Sequence, residues 1–409
     1  MSEYLNFLKQ ILNSSASEKQ LRENAIQELI KVYPRRKEAY LAFALELSQT
    51  GETKRAIEFI DLAMERCSPD SDIYYYRARL ATEILDFKTS IKFYKKCLRL
   101  NPHHRRANFN LAVDFLTTGR LVEGATLYHH REFPEETQIF SKIKKWKGEN
   151  IESNVLIWAE QGLGDELMFT RLLPWIKTFK CQFTIQCDRR LLNLFSINFP
   201  WAKFIPRNQN LININEYDRQ APIGDLFVLF HTAIHKPIIK NHILKPITKI
   251  HLVDQLKSDK KNIGISWLSM NAEKGDKRSI PIELLVKCLS SKHHRIINLQ
   301  YLTPESEIKK IRDFGFEIFN QIDCFQNIEE MAFIITNCDY VISIDNSTLH
   351  LAGSLGAPTI GLLPREANWR WLQQSEESYW YPSVRLIRQT IINDWSAPLE
   401  RLSSIISQV

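Results

Sequence analysis

Two short segments carry the residues best suited to chemistry. In the first, Gln161-Gly162-Leu163-Gly164-Asp165 follows a compact apolar run, Val155-Leu156-Ile157-Trp158-Ala159, and precedes a helix-like stretch from Leu167 to Ile176. The glycines let the chain turn tightly at the end of a strand, and Asp165 then falls at a helix N-terminus. A carboxylate there is a natural cap; beside a cleft it also accepts a proton from an attacking hydroxyl. A dinucleotide fingerprint needs a third glycine where Leu167 stands. With no clear acidic residue after a second strand, a nicotinamide-dependent oxidoreductase fits poorly. The second segment runs from Ser343 to Pro358, where a strand ends in Asp345-Asn346-Ser347 and a helix begins at once. Helix N–H groups and the positive end of the dipole suit a diphosphate-like anion. Ser347 and Thr348 add hydroxyls, Gly353 permits close approach, and His350 is open to a ligand or a purely packing role.

A third cluster, Trp369, Arg370, Trp371, Trp380 and Tyr381, concentrates aromatics within thirteen positions. Trp380 and Tyr381 read best as packing residues. Trp369 and Arg370, just after the Leu362-Leu363-Pro364 strand end, are equally suited to packing or to stacking on a ligand. No DxD sequence or His/Asp cluster occurs in these segments, so the site needs no metal to account for it, and no cofactor is expected.

Such residues must be held by strands and helices in alternation. Further strands are expected at 183–187, 203–206, 262–267, 295–299, 316–319, 340–344 and 359–363. Two such series, split near residues 250–261, form two Rossmann-like lobes with a cleft at the C-terminal ends of their strands. Trp146 to Asn150 reads as a polar linker into the first strand.

The N-terminal third has a different pattern. Ala44, Ala78 and Ala112 recur every 34 residues, as do Ala56, Ser90 and Gly124, and the larger residues Phe59, Phe93 and Leu127. Gly51 and Gly119 punctuate helix pairs, and Pro69 and Pro102 follow them. Small residues at fixed positions let paired helices approach closely. The period resembles the tetratricopeptide repeat over roughly residues 37 to 133, with 3–12 and 17–33 as a capping pair. The first-helix Trp-Leu-Gly signature of that family is degenerate here. Such an array offers a concave face for a peptide or partner protein, or packs as a structural module.

Composition narrows the alternatives. The seven cysteines are scattered without a CxxC, which reads as reduced thiols and neither a disulfide framework nor a zinc site. The net charge of +7 is spread over separated basic pairs without interleaved aromatics, so nucleic acid is not an expected partner. It suits an anionic ligand or a peripheral membrane contact. Neither a signal-peptide pattern nor an apolar run of membrane-spanning length is present, so a cytoplasmic location is expected.

The ordered set of motifs resembles the family 9, heptosyltransferase-like glycosyltransferases of the GT-B fold, joined to tetratricopeptide repeats. Besides the two segments above, the resemblance rests on Trp146-Lys147-Gly148-Glu149, on Gly264-Ile265-Ser266-Trp267 with Lys277-Arg278-Ser279-Ile280-Pro281, and on Asn368-Trp369-Arg370-Trp371 leading to Trp380-Tyr381-Pro382. It implies a helical array over 1–135, an acceptor-side lobe over 136–255 and a nucleotide-sugar lobe over 256–409. Asp165 matches the general base. Asp345, Asn346, Ser347, Thr348, His350 and Gly353 match the donor-diphosphate segment, and Gln161, Gly162, Gly164, Trp369 and Arg370 face the acceptor or cleft. Lys274, Lys277 and Arg278 lie where a cation meets the diphosphate; Ser269 to Glu273 departs from the family's Gly/Asn-rich pattern, which leaves open which of them does so. The implied activity is inverting, metal-independent sugar transfer to a protein, peptide or cell-surface glycan, the repeats holding the acceptor. A non-catalytic scaffold that binds a nucleotide sugar and a partner protein is the alternative.

Overall fold

A computed structural model describes residues 19–207, 212–234, 242–270 and 275–408 of the chain. It divides into two compact units, Met1–Arg131 and Glu132–Val409.

In the first unit, helix α1 (Lys19–Val32) precedes three helical hairpins: α2 (Lys37–Gln49) with α3 (Thr53–Arg66), α4 (Ser71–Glu83) with α5 (Phe87–Leu100), and α6 (Arg105–Thr117) with α7 (Leu121–Tyr128). First helices start at 37, 71 and 105 and second helices at 53, 87 and 121, so both keep the 34-residue step. Ala44, Ala78, Ala112, Ala56 and Ser90 are all buried where the helices meet. A Cβ on Gly124 would stand 2.5 Å from Leu116 Cγ, so the third hairpin closes too tightly for any side chain there. The expected capping pair is represented by α1; residues 3–12 lie outside the described residues. The hairpin turns repeat a left-handed residue at Gly51, Leu85 and Gly119, with φ of 83°, 62° and 79°. The middle turn carried no glycine signal because Leu85 takes that conformation despite its Cβ, at a cost of about 1–2 kcal/mol.

One buried carboxylate ties three helices of this array. Asp114 of α6 accepts hydrogen bonds from Thr82 of α4, at 3.1 and 3.2 Å, and from the Ser90 hydroxyl of α5. Burial pushes its pKa up to about 7, the two hydroxyls opposing that shift only in part. The folded chain therefore holds a proton that the unfolded chain has lost above pH 4 or so. The stability this contributes is complete below about pH 4 and drains away as pH rises through about 7, at about 1.4 kcal/mol per pH unit. Urea unfolding between pH 5 and 8, followed by hydrogen exchange in α4 to α6, should show this slope. Asp114→Asn should flatten it and be the more stable protein at pH 8; an unchanged slope would remove Asp114 as its source.

In the second unit, a 3-10 segment (Glu135–Lys142) leads into β1 (Asn154–Trp158). Trp146, expected in a polar linker, is wholly buried: it packs edge-on against Phe179 and Phe183, and its Nε1 donates to the Glu149 carbonyl at 3.1 Å. The entry to the lobe is thus part of its core. Helix α8 (Leu163–Phe169), β2 (Gln182–Cys187), α9 (Leu192–Asn198), β3 (Lys203–Pro206) and β4 (Arg219–Pro222) complete the first lobe. The second lobe includes β5 (Lys261–Ser266), β6 (His294–Asn298), β7 (Ile318–Phe319), α10 (Ile328–Ile335), β8 (Tyr340–Ile344), α11 (Ser347–Leu355), β9 (Thr359–Leu363), β10 (Val384–Arg388) and α12 (Ser396–Ile406).

The sheets run β3-β2-β1-β4 and β10-β9-β8-β5-β6-β7, parallel throughout. Both therefore reverse direction of growth between the first strand of the lobe and the fourth. That topological switch opens a crevice at the strand C-terminal ends, where doubly wound folds bind ligands. Central strands are apolar on both faces, as a sheet covered by helices requires; Ile263, Ile265, Ile342, Ile344, Ile360 and Leu362 form one core with Leu399, Leu402 and Ile406 of α12. Two strands were not expected. β4 is short and ends in proline; its Gln220 is held inside by Trp158 Nε1 at 2.6 Å, a pairing invisible in local composition. β10 follows the aromatic cluster, which masked its alternating pattern.

Candidate functional site

Between the strand ends of the two lobes lies a cavity of about 440 Å³. The first lobe contributes Gly162, Leu163, Gly164 and Arg190; the second contributes Ser269, Met270, Arg278, Tyr301, Cys324, Phe325, Ile328, Met331, the stretch Asp345–Thr348, and Leu351. The two segments singled out for chemistry, about 180 residues apart in sequence, thus face one space because both follow a switch-point strand.

Asp165 sits at this edge in the first turn of α8. Its Oδ2 accepts the Gly162 N–H at 3.2 Å, the reciprocal half of a capping box. Its Oδ1 receives Arg370 Nε at 2.6 Å and Arg370 Nη2 as well, while that Nη2 also reaches Gln161 Oε1 at 2.7 Å. Gln161 holds a left-handed backbone, φ 60°, and its carbonyl is fixed by Arg207 Nη1 at 2.9 Å. Arg207 also pairs with buried Glu166 at 2.6 Å, whose other oxygen takes the Asp188 N–H at 2.6 Å. Burial raises the Glu166 carboxyl to about 7 against the pull of Arg207. The residue after the candidate base is therefore a structural anchor binding α8 to the end of β2.

The Ser343–Pro358 segment is built differently from a bare anion site. Asn346 caps α11, its Oδ1 accepting from Thr348 N at 3.0 Å and Leu349 N at 3.4 Å, and its Nδ2 donating to Ser266 Oγ at 2.8 Å. The cap thus takes two of the helix's leading N–H groups for the protein itself. Thr348 Oγ1 turns inward to the Leu299 carbonyl at 3.4 Å, whereas Ser347 lines the cavity. Asp345 is buried and accepts Trp371 Nε1 at 2.6 Å; Arg278 Nε stands 3.5 Å from its other oxygen. A carboxylate so placed shapes the cavity wall and holds Arg278.

His350 is enclosed: its Nδ1 meets the Tyr381 hydroxyl at 2.9 Å, and its ring lies 4.8 Å from that of Trp371. Burial, with the nearby charges of Arg370 and Arg278, pushes its pKa down to about 3, so it is neutral at physiological pH. It supports the site by packing and hydrogen bonding, without a charge to offer a phosphate. The two remaining glycines explain themselves by proximity. A Cβ on Gly164 would fall 2.8 Å from His350 Cδ2, and one on Gly353 would fall 2.4 Å from Tyr381 Cγ. They allow α8 of one lobe to lie on α11 of the other, and Tyr381 to lie against α11.

Among the three candidate cations, Arg278 lines the cavity, Lys277 extends away to Glu366 at 3.0 Å, and Lys274 lies outside the described residues. Trp369 is buried between Phe227 and Trp380, at ring distances of 5.5 and 6.3 Å, and so packs where the lobes meet. Arg370, its neighbour, is the member of that cluster that reaches the candidate base.

Arg190 was not anticipated. It is gripped by Asp188 through two bonds of 2.9 and 2.7 Å, donates to the Phe325 carbonyl of the other lobe at 3.2 Å, and lies 4.5 Å over the Phe325 ring. Tyr301 and Phe325, with ring centroids 6.1 Å apart, form an aromatic wall beside it. The available signal was position: Arg190 follows β2 and Tyr301 follows β6, each within three residues of a strand end. All seven cysteines are free thiols, and burial pushes that of Cys324, in the cavity wall, up to about 12. Among the described residues no group of three or more His, Cys, Asp or Glu side chains could hold a metal ion, and no helix is long and apolar enough to cross a membrane.

No family model matches the chain. It is similar to protein FlbA of Caulobacter vibrioides, 26% identical over 393 residues that cover 88% of this chain; the chain spans 65% of that relative's length. Among solved structures, the family 9 glycosyl transferase of Veillonella parvula covers 64% of this chain and 92% of its own at 11% identity, with a TM-score of 0.46. The Escherichia coli ADP-heptose lipopolysaccharide heptosyltransferase II covers 62% and 99% at 14% identity, with a TM-score of 0.43.

Proposed function

We propose that Glu132–Val409 transfers a sugar from a nucleotide-activated donor to an acceptor hydroxyl. The observation that carries this reading is the cavity itself: the Gly162–Gly164 turn that precedes Asp165, the Asp345–Thr348 helix start and Arg278 converge on one space between two switch points. In this reading Asp165 takes the acceptor proton as the acceptor oxygen bonds to the anomeric carbon. The bond from that carbon to the diphosphate breaks on the opposite side, with inversion. Arg278 and the positive end of α11 stabilise the charge on the departing diphosphate without a metal. Tyr301 and Phe325 offer apolar faces to a nucleobase. The acceptor is a protein or peptide held by the helical repeats, or a cell-surface glycan.

A second reading has its own support. Both oxygens of Asp165 are engaged, by Arg370 and by the Gly162 amide, as in a domain that binds a nucleotide sugar without turning it over and serves as a scaffold. Incubation with UDP-, GDP-, ADP- and CMP-sugars separates the two. Release of free nucleoside diphosphate supports transfer or hydrolysis; saturable binding without release supports the scaffold. Mass spectrometry of glycoconjugates from cells with and without the gene then identifies the acceptor.

A further inference from the structure

The cations of the described cavity lining are already engaged. Arg190 is held by two bonds to Asp188, and Arg278 stands beside Asp345. A cation that can change partners would add to what Arg278 offers a diphosphate seated there. Both pairs join residues of a single lobe, Arg190 with Asp188 two positions away and Arg278 with the buried Asp345.

Arg370 differs. It comes from the short 3-10 turn Trp369–Trp371 of the second lobe and reaches Asp165 and Gln161 of the first. Its Nε and Nη2 converge on the single oxygen Oδ1, in place of the two parallel bonds by which a guanidinium fork best grips a carboxylate. Gln161 and Asp165 flank Gly162 and Gly164, which line the cavity. Enclosed His350, against which Gly164 lies, feels the charge of both Arg370 and Arg278.

We infer that Arg370 is a positioning residue with two alternative anionic partners: Asp165 in the resting protein, and the diphosphate of the bound donor. This rests on the nucleotide-sugar reading of the cavity. Because the two anions compete for one guanidinium, donor binding and release of Asp165 are linked, and by reciprocity each affects the other by the same factor. Asp165 Oδ1 then becomes available to an acceptor hydroxyl when the donor is in place. The occupied carboxylate is, on this account, a resting state of a catalyst.

The test is a binding cycle that needs neither the sugar nor the acceptor. Pyrophosphate, ADP, UDP and GDP are titrated calorimetrically into the full chain, Asp165→Asn, Arg370→Gln and the double variant, with a thermal melt of each to confirm folding. Asp165→Asn should tighten the best-bound probe by roughly tenfold and Arg370→Gln weaken it by a similar factor, within the usual range of coupling between sites. The double variant should match Arg370→Gln, because the gain from Asp165→Asn exists only while Arg370 is present. Arg370→Lys, which keeps the charge and loses the fork, should fall between parent and Arg370→Gln. A gain that survives in the Arg370→Gln background, or no gain at all, overturns the inference while leaving nucleotide binding intact. Failure of every probe to bind any of the proteins overturns both the inference and the nucleotide reading. The expected cycle without turnover of any nucleotide sugar supports the shared-arginine linkage but overturns its reading as the resting state of a catalyst.

Discussion

Replacing Asp165 with asparagine is expected to reduce sugar transfer by about 10²–10⁴-fold, the range that a positioned general base contributes. The amide is nearly isosteric and its oxygen can still accept the Gly162 N–H that the carboxylate holds at 3.2 Å. The turn and α8 should therefore survive, and the loss should appear in kcat, with the variant melting near the parent's temperature. The measurement is initial rate with whichever nucleotide sugar the parent turns over, alongside nucleotide affinity. Tight binding with lost turnover is the expected pair of results. Near-parental turnover would remove Asp165 from the mechanism and move the search for a base to another group at the cavity.

The second large effect is expected from a single methyl group. Gly164→Ala places a Cβ 2.8 Å from His350 Cδ2, closer than carbon atoms approach without displacement. The ring cannot readily yield, since Tyr381 holds its Nδ1 at 2.9 Å and Trp371 covers its face. Gly164 and His350 belong to different lobes, so the relief is a separation of α8 from α11, with the core of each sheet unaffected. Misplacement of reacting groups by about 1 Å costs on the order of 10²-fold in rate. Transfer should fall by about that factor while urea unfolding changes by only about 1–3 kcal/mol, the usual cost of overpacking. Unchanged rate and nucleotide affinity in Gly164→Ala would show that the lobes do not need this contact.

Much of this arrangement was legible in the sequence, and the limits have physical causes. Strands β1, β2, β5, β8 and β9 are buried on both faces, so they announce themselves as short apolar runs between turns. Gly162 and Gly164 were legible as turn residues, and Gly353 as a place of close approach. That Gly164 lies against His350 and Gly353 against Tyr381 was not, because each ring arrives from elsewhere in the fold. The helical hairpins showed through small residues at fixed spacing, whereas the Leu85 turn carried no mark. Asp345 and His350 stand in one segment of the sequence, yet chemical type alone gives no sign that one faces Trp371 and the other Tyr381. Arg190 stayed hidden because a surface-like Arg189-Arg190 pair becomes a cavity residue only once β2 has been placed beside β1. Spacing reports the elements; the pairing of charges across lobes follows from topology.

The turn Trp369–Trp371 has a further consequence. Adjacent side chains on it serve two carboxylates: Arg370 binds Asp165, 205 positions away, and Trp371 binds Asp345, 26 positions away. Inherited change at either prong is therefore constrained by a distant site. In a deep set of related chains, positions 165 and 370 should vary together, as should 345 and 371. Lineages that have lost the carboxylate at 165 should also have relaxed the arginine at 370 while keeping the tryptophan at 371. Independent drift of 165 and 370 would show that their contact carries no selected role. The three-residue turn thus offers a historical record of whether the two halves of the site were kept for one purpose.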